Sequence, residues 1–181
     1  MTYELMEDFE QKAPELYSLA FLLTGNTDRS VEAFSRALDF DEEENHVFGE
    51  FMSSWSRKLI IAEALGTIEA ELRASKQRVA RTASAEIFGD PRGKRRPYIG
   101  REEFEEAVIA IDAFPRCAML LTIFEGMSVE AASLLLHADE SLTRAAQRIG
   151  ILQLTRNLTG DSGRDPFPEP GCSPVPVLSL G

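Results

Sequence analysis

A chain of 181 residues that is 44% hydrophobic and 27% charged has the make-up of a globular protein, long enough for one ordinary domain or two small helical ones. No apolar run approaches the roughly 20 residues needed to cross a bilayer, which excludes a membrane-spanning helix and predicts no membrane insertion. The formal net charge of −11 argues against indiscriminate nucleic-acid binding, because phosphate neutralisation needs a basic surface.

The charge is distributed in blocks. Residues 1–50 hold 13 acids against 3 bases, residues 51–100 hold 5 against 10, and residues 101–181 hold 12 against 6. The stretch Met1 to Glu10 carries four acids and no base, so it lacks the positive segment and apolar core of a secretory signal, and a cytoplasmic location is expected. Cys117 lies in an apolar run and Cys172 in a proline-rich stretch, neither a disulfide framework nor a metal spacing, so both are expected as free thiols. His46 and His137 stand far apart with no cysteine nearby, and no metal site or cofactor is expected. No nucleophile–base set or phosphate loop appears, so the chain is not expected to be an enzyme.

In chain order, Leu16, Leu19, Ala20 and Leu23 mark one face of a helix over Phe9 to Leu23, with Pro14 tolerable only near its start. Thr24-Gly25-Asn26 ends it. A second helix is predicted from Asp28 to Leu38, followed by an acidic run, Asp39 to Glu44, read as a solvated turn. The longest stripe, Phe48, Phe51, Trp55, Leu59, Ala62, Leu65, Ile68 and Leu72, predicts one helix of about seven turns. Residues 80–100 contain Gly89, Pro91, Gly93 and Pro97 without periodicity and read as a linker, within which Arg92, Lys94, Arg95 and Arg96 form a dense basic cluster. Helices over Phe104 to Ala113 and Pro115 to Phe124 come next. Glu125-Gly126-Met127 breaks the second, Ser128 caps a short helix ending at His137-Ala138, and Asp139 caps a last one running to about Leu158. Two helices joined by about three residues have the geometry of a helix-turn-helix. From Thr159 onward five prolines exclude regular structure, and a disordered tail is expected. The expected fold is all-α, with a helical domain at 1–79, a linker at 80–100, a helix-turn-helix domain at 101–158 and a tail at 159–181.

The segment FPRCAMLLTIFEGMSVEAASLLL, Phe114 to Leu136, resembles region four of extracytoplasmic-function sigma factors, in which a proline turn precedes an aliphatic helix, a Glu-Gly-aliphatic-Ser break and a helix-turn-helix. LYSLAFLLTGN, residues 16–26, is similar to the first helix of region two and its turn, and Phe51 to Arg78 resembles a later region-two helix in which a tryptophan opens a run of aliphatic and basic residues. The resemblance implies a sigma factor that directs RNA polymerase core to promoter DNA, with an anti-sigma factor as a further partner. It implies that Trp55, Arg57 and Lys58 lie near single-stranded DNA, and that Arg144, Gln147 and Arg148, three and four residues apart on the last helix, face base edges in the major groove. Where the family places an asparagine seven residues after the tryptophan, this chain has Ala62; the turn glycine is His137; and the last helix opens with Asp139-Glu140. The acidic N-terminal half, Ala62 and Asp139-Glu140 favour an alternative, a degenerate sigma-like protein that binds an anti-sigma factor or other regulator without productive DNA binding.

Overall fold

The computed structural model describes the backbone of residues 3–43, 52–82 and 99–160, and the side chains of residues 12–37, 56–82 and 99–160. The regular secondary structure of the described residues is all helical, with no strand among them: α1 (Tyr3–Thr24), α2 (Thr27–Glu43), α3 (Met52–Thr67), α4 (Glu69–Thr82), α5 (Arg101–Ile109), α6 (Ala113–Met119), a π-helical turn (Leu120–Phe124), α7 (Val129–Leu135) and α8 (Glu140–Thr159). No described helix is long and apolar enough to cross a membrane. The basic cluster at 92–96, the proline-rich stretch from 161, and the side chain of Trp55 lie outside the described residues.

Three local expectations change before the expected linker, and beyond it the helix expected over Phe104 to Ala113 ends at Ile109 while the one expected over Pro115 to Phe124 begins at Ala113 and turns π-helical at Leu120. Helix α1 starts at Tyr3 and runs through Pro14, whose ring faces solvent, so the proline sits inside a 22-residue helix rather than near its start. Helix α2 continues to Glu43, drawing Asp39 to Glu43 into a helix instead of a turn; glutamate is a good helix former, and its propensity prevails over the unfavourable helix dipole at that end. The predicted seven-turn helix is broken at Ile68 into α3 and α4. Gly66 weakens the helix there, and the Thr67 hydroxyl donates to the Ala64 carbonyl at 2.8 Å, competing with the backbone ladder. Leu65, Ile68 and Leu72 are buried on both sides of the break, so the apolar stripe survives it.

The expected linker separates α4 from α5, yet packing crosses it freely. One cluster of buried side chains unites Leu19 and Leu23 of α1, Ile61 and Leu65 of α3, Leu72 and Val79 of α4, Val108 of α5, Phe114, Cys117 and Met119 of α6, and Ala146 and Ile149 of α8. Each large side chain removed from water in this way contributes roughly 1.5–3 kcal/mol, so this shared cluster is the main source of cohesion. Helix α6 is the hub, with all seven of its residues buried. Its N-cap is Asp112, not a residue at the start of the Phe-Pro-Arg motif, which puts Pro115 within the first turn where a missing N–H costs little. Burial alone would raise the Asp112 carboxyl, but hydrogen bonds from Arg78 and Ser75, the Arg78 charge and the Ala113 amide together outweigh it and hold the group below its usual range. Helix α8 crosses α6 so closely that a Cβ on Gly150 would sit 2.6 Å from the Pro115 carbonyl oxygen.

At the centre lies Arg116, only 5% exposed. Among the described residues, no carboxylate pairs with its guanidinium. Nη1 donates to the carbonyls of Ile109 and Ile111 at 3.0 and 3.1 Å, and Nη2 to those of Leu23 and Thr24 at 3.3 and 3.1 Å. These oxygens end α5 and α1, where unpaired carbonyls carry the negative pole of the helix dipole. Gly25 turns the chain beyond α1 at φ +66°, and a Cβ there would stand 2.8 Å from Arg116 Nη1. The position therefore excludes a side chain twice over, by backbone conformation and by contact.

Beside it, Cys117 is a free thiol buried completely; burial pushes its pKa up to about 12, with the Arg116 charge pulling weakly the other way. Replacing Arg116 by Met removes the guanidinium donor to four carbonyls, leaving Leu23's with only the Cys117 thiol at 3.6 Å, and is expected to cost about 3–5 kcal/mol in denaturant-induced unfolding. A loss below about 1 kcal/mol would show that those carbonyls find other donors. Cys117 is expected to resist a thiol-specific disulfide reagent at pH 8 until the chain is unfolded, since neither access nor thiolate is available to it; stoichiometric labelling of Cys117 in the native state, read by peptide mapping, would contradict its burial.

Candidate nucleic-acid interface

Helices α7 and α8 owe their boundaries to capping that the local sequence dictates. After the π-helical turn, the Met127 amide donates to the Leu121 carbonyl at 3.0 Å, and the Ser128 hydroxyl accepts from the Ala131 amide at 3.1 Å, starting α7. At the other end, the Ala138 amide donates to the Ser133 carbonyl at 3.0 Å and the His137 amide to that of Leu134 at 3.2 Å. This pair of bonds is a Schellman closure, with His137 at φ +49° where glycine is usual. The Lys76 ammonium, reaching from α4, donates to the His137 carbonyl at 2.7 Å and fastens the turn to the other half of the chain. Asp139 then accepts from the Leu142 amide at 2.8 Å and caps α8.

The face that α8 presents follows from helical periodicity. At about 100° per residue, Thr143, Ala146, Ile149 and Gly150 cluster on one side, and all four are buried. Glu140, Ser141, Arg144, Arg148 and Ile151 fall within an arc of about 100° on the opposite side, and all five are exposed. Arg144 and Arg148 are therefore brought together on one accessible surface. Arg144 also pairs with Glu140 one turn earlier, Nη2 to Oε2 at 3.1 Å. Gln147, expected to share that face, is half-buried instead: its amide donates to the Thr122 hydroxyl at 2.9 Å and ties α8 to the π-helical turn.

The residues expected near melted DNA are placed differently again. Lys58 is exposed on α3. Arg57 is engaged with Glu125 of the Glu-Gly-Met-Ser break, Nε to Oε2 at 2.5 Å and Nη2 to Oε1 at 2.9 Å. The hydrogen bond to Glu125 is the largest cause of a raised Arg57 pKa, partly offset by burial. Glu125 is only 7% exposed, so this bidentate pair is half-sheltered and bridges the two segments of chain. Arg78 makes a second such bridge to Asp112, at 2.9 and 2.6 Å, and Arg101 a third to the Ser18 hydroxyl at 2.6 Å. Cations of α3, α4 and α5 thus join the halves as well as charging the surface.

Sequence reasoning missed Arg116 and Glu125 as partners across the chain. The signal was present in part: an arginine inside an otherwise apolar run, FPRCAMLL, has to find acceptors if that run is core. No group of three or more His, Cys, Asp or Glu among the described residues could hold a metal ion. The chain matches no protein-family model, no curated protein and no solved structure.

The His137 turn generates a direct test. Replacing His137 by Gly relieves the left-handed strain of a residue bearing a Cβ and is expected to stabilise the chain by about 1 kcal/mol, or roughly 2–4 °C in Tm. A fall in Tm on calorimetry would mean that the imidazole makes contacts outweighing its backbone conformation.

Proposed function

We propose that this chain is a sigma-type promoter-recognition protein, acting in the cytoplasm on RNA polymerase core and promoter DNA and carrying out no catalysis of its own. In this reading residues 1–79 are the region-two-like module and residues 101–158 the region-four-like module. The observation that carries it is α8: a capped helix, set by a tight turn against α7, whose solvent face holds Arg144 and Arg148 opposite the stripe buried on α6. Arginine makes bidentate contacts with guanine edges, each worth about 1–3 kcal/mol of discrimination. Gln147 then supports the helix through Thr122 rather than reading a base, while Trp55 and Lys58 remain the candidates for the melted strand. Arg57 can join them only by leaving Glu125.

A second reading is favoured by that last point. A sigma-like chain that binds an anti-sigma factor or another regulator, without productive DNA binding, has no need to separate its halves. The shared core and the Arg57–Glu125 pair suit such a role. Reconstituted initiation with core polymerase separates the two. Open-complex formation, with footprinting at the upstream element weakened at least about 30-fold by the Arg144→Ala, Arg148→Ala double substitution, supports the first. A chain that captures a regulator tightly while core polymerase forms no open complex with it supports the second.

A further inference from the structure

The acids at the start of α8 look hostile to DNA in the sequence, and the structure gives them separate employments. Asp139 turns back on the helix as its N-cap, where the helix dipole offsets its charge. Glu140 does not. Its side chain is 52% exposed, lies on the same arc as Arg144 and Arg148, and holds one edge of the Arg144 guanidinium through Nη2 at 3.1 Å.

We infer that Glu140 is a specificity determinant of the α8 face, accepting a hydrogen bond from the amino group of a cytosine next to the guanine that Arg144 reads. The inference rests on the reading of α8 as the DNA-facing helix. An ionised carboxylate is acceptor-only, and cytosine alone presents a donor with no adjoining acceptor in the major groove. Four residues of helix rise about 6 Å, less than two base-pair steps of about 3.4 Å, so Glu140 and Arg144 fall within reach of neighbouring pairs. Holding Nη2 also fixes the plane of the guanidinium, which lowers the ordering cost of a bidentate contact. For binding without sequence preference, Glu140 is a pure liability, since it sets a negative charge against phosphate. Its worth lies in discrimination.

Selection from a pool of randomised duplexes, by the intact chain alone and by the chain loaded on core polymerase, tests this. The chain should enrich sites with cytosine fixed beside guanine. Glu140→Gln, which replaces the acceptor-only group by an amide able to pair with adenine, should relax the cytosine preference by about 5- to 150-fold and leave affinity for random duplex unchanged or higher. Arg144→Ala should relax the guanine instead. Both side chains are exposed, and far-UV circular dichroism of each variant checks that the fold is kept. Enriched sites identical for the Glu140→Gln chain and the unaltered one would overturn the role of Glu140 while leaving α8 as the reading helix. No enrichment by the unaltered chain under either condition would overturn both.

Discussion

A buried cation held by backbone carbonyls, with no counter-ion among the described residues, fixes the arrangement of the described helices. Arg116 is held by four carbonyl oxygens, two ending α1 and two around the end of α5. Those oxygens gain a charged donor, Leu23's beyond a long bond from the Cys117 thiol, and the cation would otherwise be an uncompensated charge, so each side makes the other tolerable. Because α6 carries the arginine, the ends of α1 and α5 must converge on it. That convergence explains why α6 is wholly buried, why Gly25 stands where it does, and why α8 has only one stripe left to bury. The exposed arc of α8 follows from that geometry.

The same constraint bears on how the halves act. Around Arg116, the seam between α1–α4 and α5–α8 is laced by Arg57–Glu125, Arg78–Asp112, Lys76 to the His137 carbonyl and Arg101 to Ser18. The more exposed of these contacts contribute little individually, about 0–1 kcal/mol, and the half-sheltered Arg57–Glu125 pair more than the others. The buried arginine and the common apolar cluster contribute far more, so a ligand that needs the halves apart must bind the separated form more tightly by at least that difference. A partner that recognises the closed body carries no such requirement. This asymmetry, more than the chemistry of any single side chain, divides the two functional readings.

What the sequence disclosed was local. The turn at Thr24-Gly25-Asn26, the break at Glu125-Gly126-Met127 and the caps Ser128 and Asp139 depend on residues within four positions of one another, and the chain folds there as its residues dictate. What it concealed was decided at a distance. That Arg116 finds acceptors 92 and 93 residues away, that Arg57 meets Glu125, and that Gln147 turns inward to Thr122 are outcomes of tertiary packing with no signature in spacing. Composition misled in one place: the acid-rich stretch Asp39 to Glu44 read as a turn, although glutamate and its neighbours continue α2 as far as Glu43.

The charge balance of α8 bears on what DNA binding by this chain requires. Its exposed arc sets two arginines against one glutamate, and salt dependence scales at about 0.9 per phosphate neutralised, so α8 by itself has little electrostatic pull. A free-standing repressor built this way would fail. On the proposed sigma-type reading, polymerase holds the chain near the promoter and turns the encounter with the upstream element into an intramolecular step at high effective concentration. Under that condition the useful property of a reading helix is the difference it makes between sequences. A face that combines arginines with a carboxylate is better suited to discriminating than to adhering, and an acidic chain can then serve at a promoter without binding the rest of the genome.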